Sequence, residues 1–206
     1  MNKPLFTFDS VTNITLVGVG GQGILLTADV LARTAALAGL AVKKSEIHGM
    51  SQRGGSVSSQ VRIGHCVYSP IVPDGETDLL VSFDRLEAVR AFSSVRPNGY
   101  ALVDACYLEP VTVSSGLQPA PADPEESVGK LFGERLIRFD SHSIAMQVGN
   151  PRTANMAIAG ALSCLFPWSV ETWHEALRQR LPEKLFAVNA KAFDLGRAAI
   201  VLSAAQ

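Results

Sequence analysis

Residues 14–47 read ITLVGVGGQGILLTADVLARTAALAGLAVKKSEI. The first six are a short apolar run rich in β-branched residues and interrupted by glycine, the pattern of a strand buried on both faces. From Gly23 the period changes: Leu26, Val30, Leu31, Ala35 and Leu37 recur at helical spacing. Gly39 is a helix stop, and residues 41–47 give the next strand. Strand, glycine turn, helix and strand make a βαβ opening. The expected fold is therefore α/β, Rossmann-like, with a mostly parallel sheet flanked by helices.

Working outward, Val57, Val61 and Ile63 alternate with Ser58, Gln60 and Arg62, the period of an antiparallel strand. Gly64-His65 suits a two-residue turn into CVYSP, so an inserted antiparallel hairpin is expected at 57–70. Residues 78–83 and 100–104 read as buried strands, with a turn at Pro97-Asn98-Gly99 between them. Asp84 and Glu87 have the spacing of a reciprocal helix cap, opening a helix through Phe92. Three prolines within 114–129 predict an irregular excursion, and 136–140 is the last strand. Asn150-Pro151 starts a helix to Leu165, and two more follow near 170–180 and from Pro182 onward. No repeat or linker divides the chain, so residues 1–206 are expected to form a single domain.

Bulk composition removes several function classes. Lys plus Arg number 18 against 19 for Asp plus Glu, so the basic excess of a nucleic-acid or anionic-membrane binder is missing. The three cysteines, Cys66, Cys106 and Cys164, are widely spaced, whereas a [4Fe–4S] cluster needs four thiolates and a zinc site needs close-set ligands. No metal is expected on this chain. Asp29 and Arg33 break the longest apolar run, and no secretory pattern opens the chain; no membrane span and a cytoplasmic location are the expectation.

Two glycine-rich segments carry the candidate site. In GVGGQG, Gly18-x-Gly20-x-x-Gly23 matches the dinucleotide fingerprint in its required context, with Gly21 and Gln22 inside it. Such a turn also serves a tight strand-to-helix connection that holds nothing. Glu46, near the end of the second strand, stands where a ribose-binding acid would be, so an NAD-dependent dehydrogenase is one reading. The second segment is HGMSQRGG, with His48, Gln52, Arg53, Gly54 and Gly55. It leaves the second strand at the carboxyl end of the sheet, beside the first glycine turn. Arg53 offers a planar fork for a carboxylate or phosphate, and His48 a neutral-pH donor or acceptor. A salt bridge for Arg53 and a turn cap for His48 are the plain alternatives. A non-catalytic nucleotide-binding module also fits, since no nucleophile elbow or catalytic dyad is present: Ser56, Ser58 and Ser59 read as strand residues. His65, His142 and His174 read as turn, loop and helix-surface residues, and Met146, Met156 and Trp168 as packing.

GVGGQGILL, EIHGMSQRGGSVSSQVRIG, VYSPIVPDGETDLLVSFD and PEKLFAVNAKAFDLG together resemble the gamma subunit or domain of the 2-oxoacid:ferredoxin oxidoreductases. HGMSQRGG is the spelling of the indolepyruvate branch, whose small subunit is termed beta. The resemblance implies an accessory subunit, inactive alone, of an enzyme that oxidatively decarboxylates a 2-oxoacid to acyl-coenzyme A and passes electrons to ferredoxin. It places thiamine diphosphate, Mg and 4Fe-4S clusters in a partner alpha subunit, with coenzyme A as cosubstrate. This chain agrees in lacking a thiamine–magnesium segment, for Pro73-Asp74-Gly75 is only a turn. Carried over, Gly18, Gly20, Gly21, Gln22, Gly23 and the segment from His48 to Gly55 wall the substrate or coenzyme side of a subunit interface. Arg53 is the anion-binding group, and no residue is assigned as catalytic. A homodimer of the isolated chain is a further partner expectation.

Overall fold

The computed structural model describes residues 4–48, 55–119 and 121–203, with backbone alone at 48, 111 and 201–203. Its centre is a six-stranded sheet in the order β2-β3-β1-β4-β5-β6. The strands are β1 (Thr12–Val19), β2 (Ala41–His48), β3 (Ser56–Gly64), β4 (Thr77–Ser82), β5 (Val95–Asp104) and β6 (Leu136–Phe139). β1, β4, β5 and β6 pair in parallel, while β3 runs antiparallel to both β1 and β2. Reversal of β3 sets its start, Ser56, opposite Val19 at the end of β1. The sheet is thus mixed, with one reversed strand in an otherwise co-directional set.

Eight helices cover it among the described residues: α1 (Ile24–Leu37), α2 (Arg85–Ala91), α3 (Val111–Ser114), α4 (Pro124–Phe132), α5 (Ser141–Val148), α6 (Ala154–Ser163), α7 (Val170–Arg180) and α8 (Glu183–Ser203). The period-2 alternation of each strand sends side chains to two separate cores. On β1, Ile14 and Leu16 join Val57, Val61, Ile63 and the apolar stripes of α1, α6, α7 and α8. Val17, with Leu80, Ala101 and Val103, packs instead beneath α2 and α4 through Ala88, Val128 and Phe132. Helices after β1 and β4 therefore lie on opposite faces. That divergence makes the carboxyl ends of β1 and β4 a topological switch point, where open α/β sheets usually present their crevice.

Several local expectations are corrected. The antiparallel hairpin joins β2 to β3, and residues 66–70 form no strand. Arg62 instead spends its guanidinium on Asn13 Oδ1 and the carbonyls of Ser69 and Ile71, while Gln60 Oε1 accepts from Val72 N–H, folding that segment onto β3. β5 begins at Val95, so Pro97-Asn98-Gly99 is an irregularity inside it, and the register shifts there. The proline-rich stretch contains α4, started by Asp123 as N-cap and Pro124 in the first turn. α5 was not anticipated; Asp140 caps it through Ser143 N–H. Asp84 does cap α2, accepting from Leu86 and Glu87 N–H, but Glu87 does not reciprocate: its carboxylate takes Ser56 Oγ–H and Arg90.

Candidate functional site

The site grows from the end of β1. Gly18 is glycine because a side chain there would collide with Gln22 Oε1 and Phe83 Cβ, 2.7 and 2.8 Å from its Cβ position. Beyond Val19 the chain turns through Gly20 and Gly21 into Gly23, which caps α1 in the left-handed region at φ 84° and without a side-chain hydrogen bond. A residue other than glycine would also strike the side chain of Asn155, which fills the space beside its Cα.

Gln22 is the clip of this turn. Its Oε1 accepts from Val19 N–H at 2.7 Å, and its Nε2 donates to the Phe83 carbonyl at 2.9 Å and to Cys106 Sγ at 3.5 Å. One amide thereby joins the ends of β1, β4 and β5 across the switch-point crevice. Burial first, then the nearby Asp104 and Asp84 carboxylates, push the Cys106 thiol above its usual range, so it stays a neutral, weak acceptor for that amide. Gln22 thus bridges the strand ends beneath the rim on which the glycine turn lies.

Gly55, the last residue of the second segment, meets the first at that rim. Gly20 N–H donates to the Gly55 carbonyl at 2.9 Å, continuing the β1–β3 ladder past Val19 and Ser56. Ser56 Oγ–H then donates to Glu87 Oε2 at 2.5 Å, which ties the foot of the segment to α2. Asp84, buried at the start of α2, holds Leu108 N–H at 2.6 Å and so fixes the segment after β5 on the same rim. Burial pushes the Asp84 carboxyl up against its three backbone donors. Of the sequence-predicted residues, Gly18, Gly20, Gly21, Gln22, Gly23 and Gly55 are brought together here. His48 ends β2, paired in backbone register with Val57. Gln52, Arg53 and Gly54 lie outside the described residues.

Glu46 is not where a dinucleotide site needs it. β3 lies between β1 and β2, so the acid is two strand spacings, about 10 Å, from the glycine turn rather than one. Its carboxylate is moreover paired with Lys44 at 2.6 Å. The geometric basis of the dehydrogenase reading is removed by the strand that sequence periodicity had assigned to a separate hairpin. Sequence reasoning read Glu87 only as a helix-cap partner and Cys106 only as an isolated cysteine, and did not single out Asn155. Asp84 was legible as a cap, whereas the other three act through tertiary neighbours that no local spacing announces.

Cys66 is exposed, while Cys106 follows β5 and Cys164 follows α6. Among the described residues no three His, Cys, Asp or Glu side chains converge on a common point. No helix among them is long and apolar enough to cross a membrane.

The family model described as pyruvate ferredoxin/flavodoxin oxidoreductase matches residues 13–199. The chain belongs to that family. Within the pyruvate ferredoxin/flavodoxin oxidoreductase family, it is 42% identical over 188 residues to indolepyruvate oxidoreductase subunit IorB of Thermococcus kodakarensis, covering 89% of this chain and 93% of the relative. The corresponding subunit of Methanothermobacter thermautotrophicus is 36% identical, covering 88% and 93%. Among solved structures, the gamma subunit of a keto/oxoacid ferredoxin oxidoreductase from Geobacter sulfurreducens superposes with a TM-score of 0.68 at 23% identity, over 93% of this chain and 99% of that one. The 2-oxoglutarate:ferredoxin oxidoreductase of Magnetococcus marinus, solved with 2-oxoglutarate, coenzyme A and succinyl-CoA bound, gives 0.72 at 24% identity, over 94% of this chain and 32% of that one. These two likenesses show the fold. As an accessory subunit of the family, the chain is one component of a 2-oxoacid:ferredoxin oxidoreductase.

Proposed function

We propose that this chain is the small subunit of an indolepyruvate-type enzyme, and that its two glycine segments form one wall of the active site at the interface with a larger alpha subunit. The 42% and 36% identities to indolepyruvate subunits support the substrate class. The observation that supports the site is the Gly20 N–H to Gly55 carbonyl bond at 2.9 Å, which joins the last residue of the second segment to the glycine turn. Thiamine diphosphate, Mg and the 4Fe-4S clusters belong to the alpha subunit in this reading, and ferredoxin is met through the complex. The thiamine cofactor supplies the carbanion chemistry. This chain supplies backbone donors at the start of α1, a closed floor through Gln22, and anion binding through Arg53, with His48 and Gln52 as hydrogen-bond partners. The 206 residues act as one domain of a cytoplasmic heteromer; in isolation the chain pairs with itself.

The test is reconstitution. Co-expressed with its alpha subunit, the chain should support arylpyruvate- and coenzyme A-dependent reduction of a viologen dye, with no turnover by either subunit alone. Arg53→Ala in the assembled complex should lower kcat/KM by about tenfold or more, because a charge-assisted contact is lost. Unchanged kinetics in a fully assembled variant would return Arg53 to a structural role. NAD reduction by the isolated chain with a hydroxy acid would overturn the reading altogether.

A further inference from the structure

Of the sheet's two edges, one is blunted and the other is not. β6 offers four residues, a short edge of the kind that resists further pairing. β2 offers eight, without a proline, and pairs with β3 residue for residue without a bulge. Among the described residues no strand lies against its outer side. An edge of that length and regularity is a template for another strand unless charge protects it.

The charges on β2 do not form a repelling row. Residues directly opposite in the ladder share a face of the sheet, so Val42 and Lys44, set against Ile63 and Val61, lie on the α1 side, with Glu46 beyond them. There Lys44 is neutralised by Asp29 and by Glu46 at 2.6 Å. Lys43, Ser45 and Ile47 lie on the other face, and Ile47 is 59% exposed.

A second copy can add to this edge antiparallel, about a two-fold axis normal to the sheet. Such an axis keeps each face on its own side, so it must pass through a residue of β2 rather than between two. Axes at Val42 or Ile47, or nearer the ends, pair three residues at most. With Lys43 or Lys44 on the axis that lysine meets its own copy, and with Glu46 there two carboxylates meet. Like charges directly opposite destabilise a strand pair. Only Ser45 on the axis avoids this. Lys44 of each copy then faces Glu46 of the other, serine meets serine, and the aliphatic stem of Lys43 crosses the exposed Ile47 of the other copy.

We infer that the β2 edge is the surface through which this chain associates with itself, two copies pairing antiparallel with Ser45 on the two-fold axis. This rests on the reading above that the isolated chain pairs with itself, and it names the surface and the register. The axis turns the two carboxyl-end rims to opposite ends of the joined sheet, so each glycine turn stays clear of the contact.

Sedimentation of the full isolated chain over a concentration series should show a monomer–dimer equilibrium. Glu46→Lys and Lys44→Glu, each alone, set like charges together on both sides of the axis and should weaken dimerisation at least tenfold. Mixed in equal amounts, the two variants should recover it as a heterodimer, because every such pair then joins opposite charges; a folding defect gives no such recovery. Ser45→Cys, with Cys66→Ser to remove the exposed native thiol, should cross-link to its own copy under mild oxidation. Opposite Cα atoms in an antiparallel pair stand about 4.5–5.5 Å apart, within disulfide reach. Lys43→Cys and Ile47→Cys, each alone in the same background, should not cross-link. The cross-link keeps the test open if a charge variant fails to fold. A dimer indifferent to both charge reversals, or one without the Ser45→Cys cross-link, overturns the inference and leaves self-pairing standing. A chain that stays monomeric throughout the series removes the self-pairing reading and this inference with it.

Discussion

Replacing Gln22 by alanine isolates the contribution of the clip at the sheet's switch point. The amide satisfies Val19 N–H at 2.7 Å and the Phe83 carbonyl at 2.9 Å, and adds a weaker contact to Cys106 Sγ. Gly18 leaves room for that amide, whose Oε1 lies 2.7 Å from where a Cβ at position 18 would stand. Each neutral hydrogen bond contributes about 1 kcal/mol net, and a backbone group left shielded without a partner costs roughly 1–3 kcal/mol. Gln22 is half-buried, so water recovers part of that loss. The expected destabilisation of Gln22→Ala is about 2–3 kcal/mol, which for a chain of this length lowers Tm by roughly 5–10 °C. Urea denaturation followed by circular dichroism measures it, with the midpoint falling and the slope unchanged. Gln22→Glu refines the test, because it retains an acceptor for Val19 N–H and presents a second carboxylate oxygen to the Phe83 carbonyl. It should cost at least as much as alanine at neutral pH. A change below about 0.5 kcal/mol in both variants would refute the claim that this amide closes the crevice.

Gly23→Ala should be more damaging than Gly21→Ala, although both glycines have positive φ: a side chain at 23 meets Asn155, whereas one at 21 meets open space. Roughly 1–2 kcal/mol of backbone strain is common to the two, and only the former adds a clash, so a Tm series comparing them reads the contact directly. Asp104 and Asp29 should show opposite pH behaviour. Burial pushes the Asp104 carboxyl up despite hydrogen bonds from Ser141, so the native state binds that proton more tightly than the unfolded chain does. Wild type should therefore gain stability relative to Asp104→Asn as pH falls through the raised native value toward the ordinary 3.8, a gain complete below 3.8. Burial pushes Asp29 up too, but hydrogen bonds from Lys44 and Arg180 outweigh it and hold the carboxyl below its usual value. Its contribution is present above 3.8 and lost as pH falls through the lowered native value, so the advantage of wild type over Asp29→Asn should shrink in acid. Melting curves across pH 3–7 check both signs, and parallel profiles would contradict them.

What was legible in the sequence was whatever the chain specifies within a dozen neighbours. Residues 14–47 delivered β1, α1 and β2 with their boundaries, because apolar period, glycine and β-branching change together at each junction. Asp84 and Asn150 fill the capping roles their spacing suggests. The partner of β3 was not legible. Its alternation predicts an antiparallel strand but says nothing of which edge it joins, and Gly64-His65 offered a nearby turn that the fold does not use as a hairpin. Arg62 explains why: its three hydrogen bonds draw the following residues across the sheet instead of back along it. The excursion at 114–129 failed for a related reason. Proline density suggested irregularity, yet Pro124 sits where a helix tolerates it, one residue after a capping aspartate.

The same distinction governs the site. Glycine spacing placed the turn correctly, and the direction of β2 placed the second segment on the same end of the sheet. Both inferences need only strand polarity. The meaning of that geometry depends on a strand inserted between β1 and β2, which converts a dinucleotide fingerprint into something else: the acid that would hold a ribose is moved one strand away, and β3 runs back along β1 with Gly55, just before it, against Gly20. Reversal of a single strand thus replaces an acidic partner for the glycine turn with the Gly55 carbonyl. The turn keeps the N-terminus of α1 but loses the acid that a dinucleotide site would set against the sugar hydroxyls.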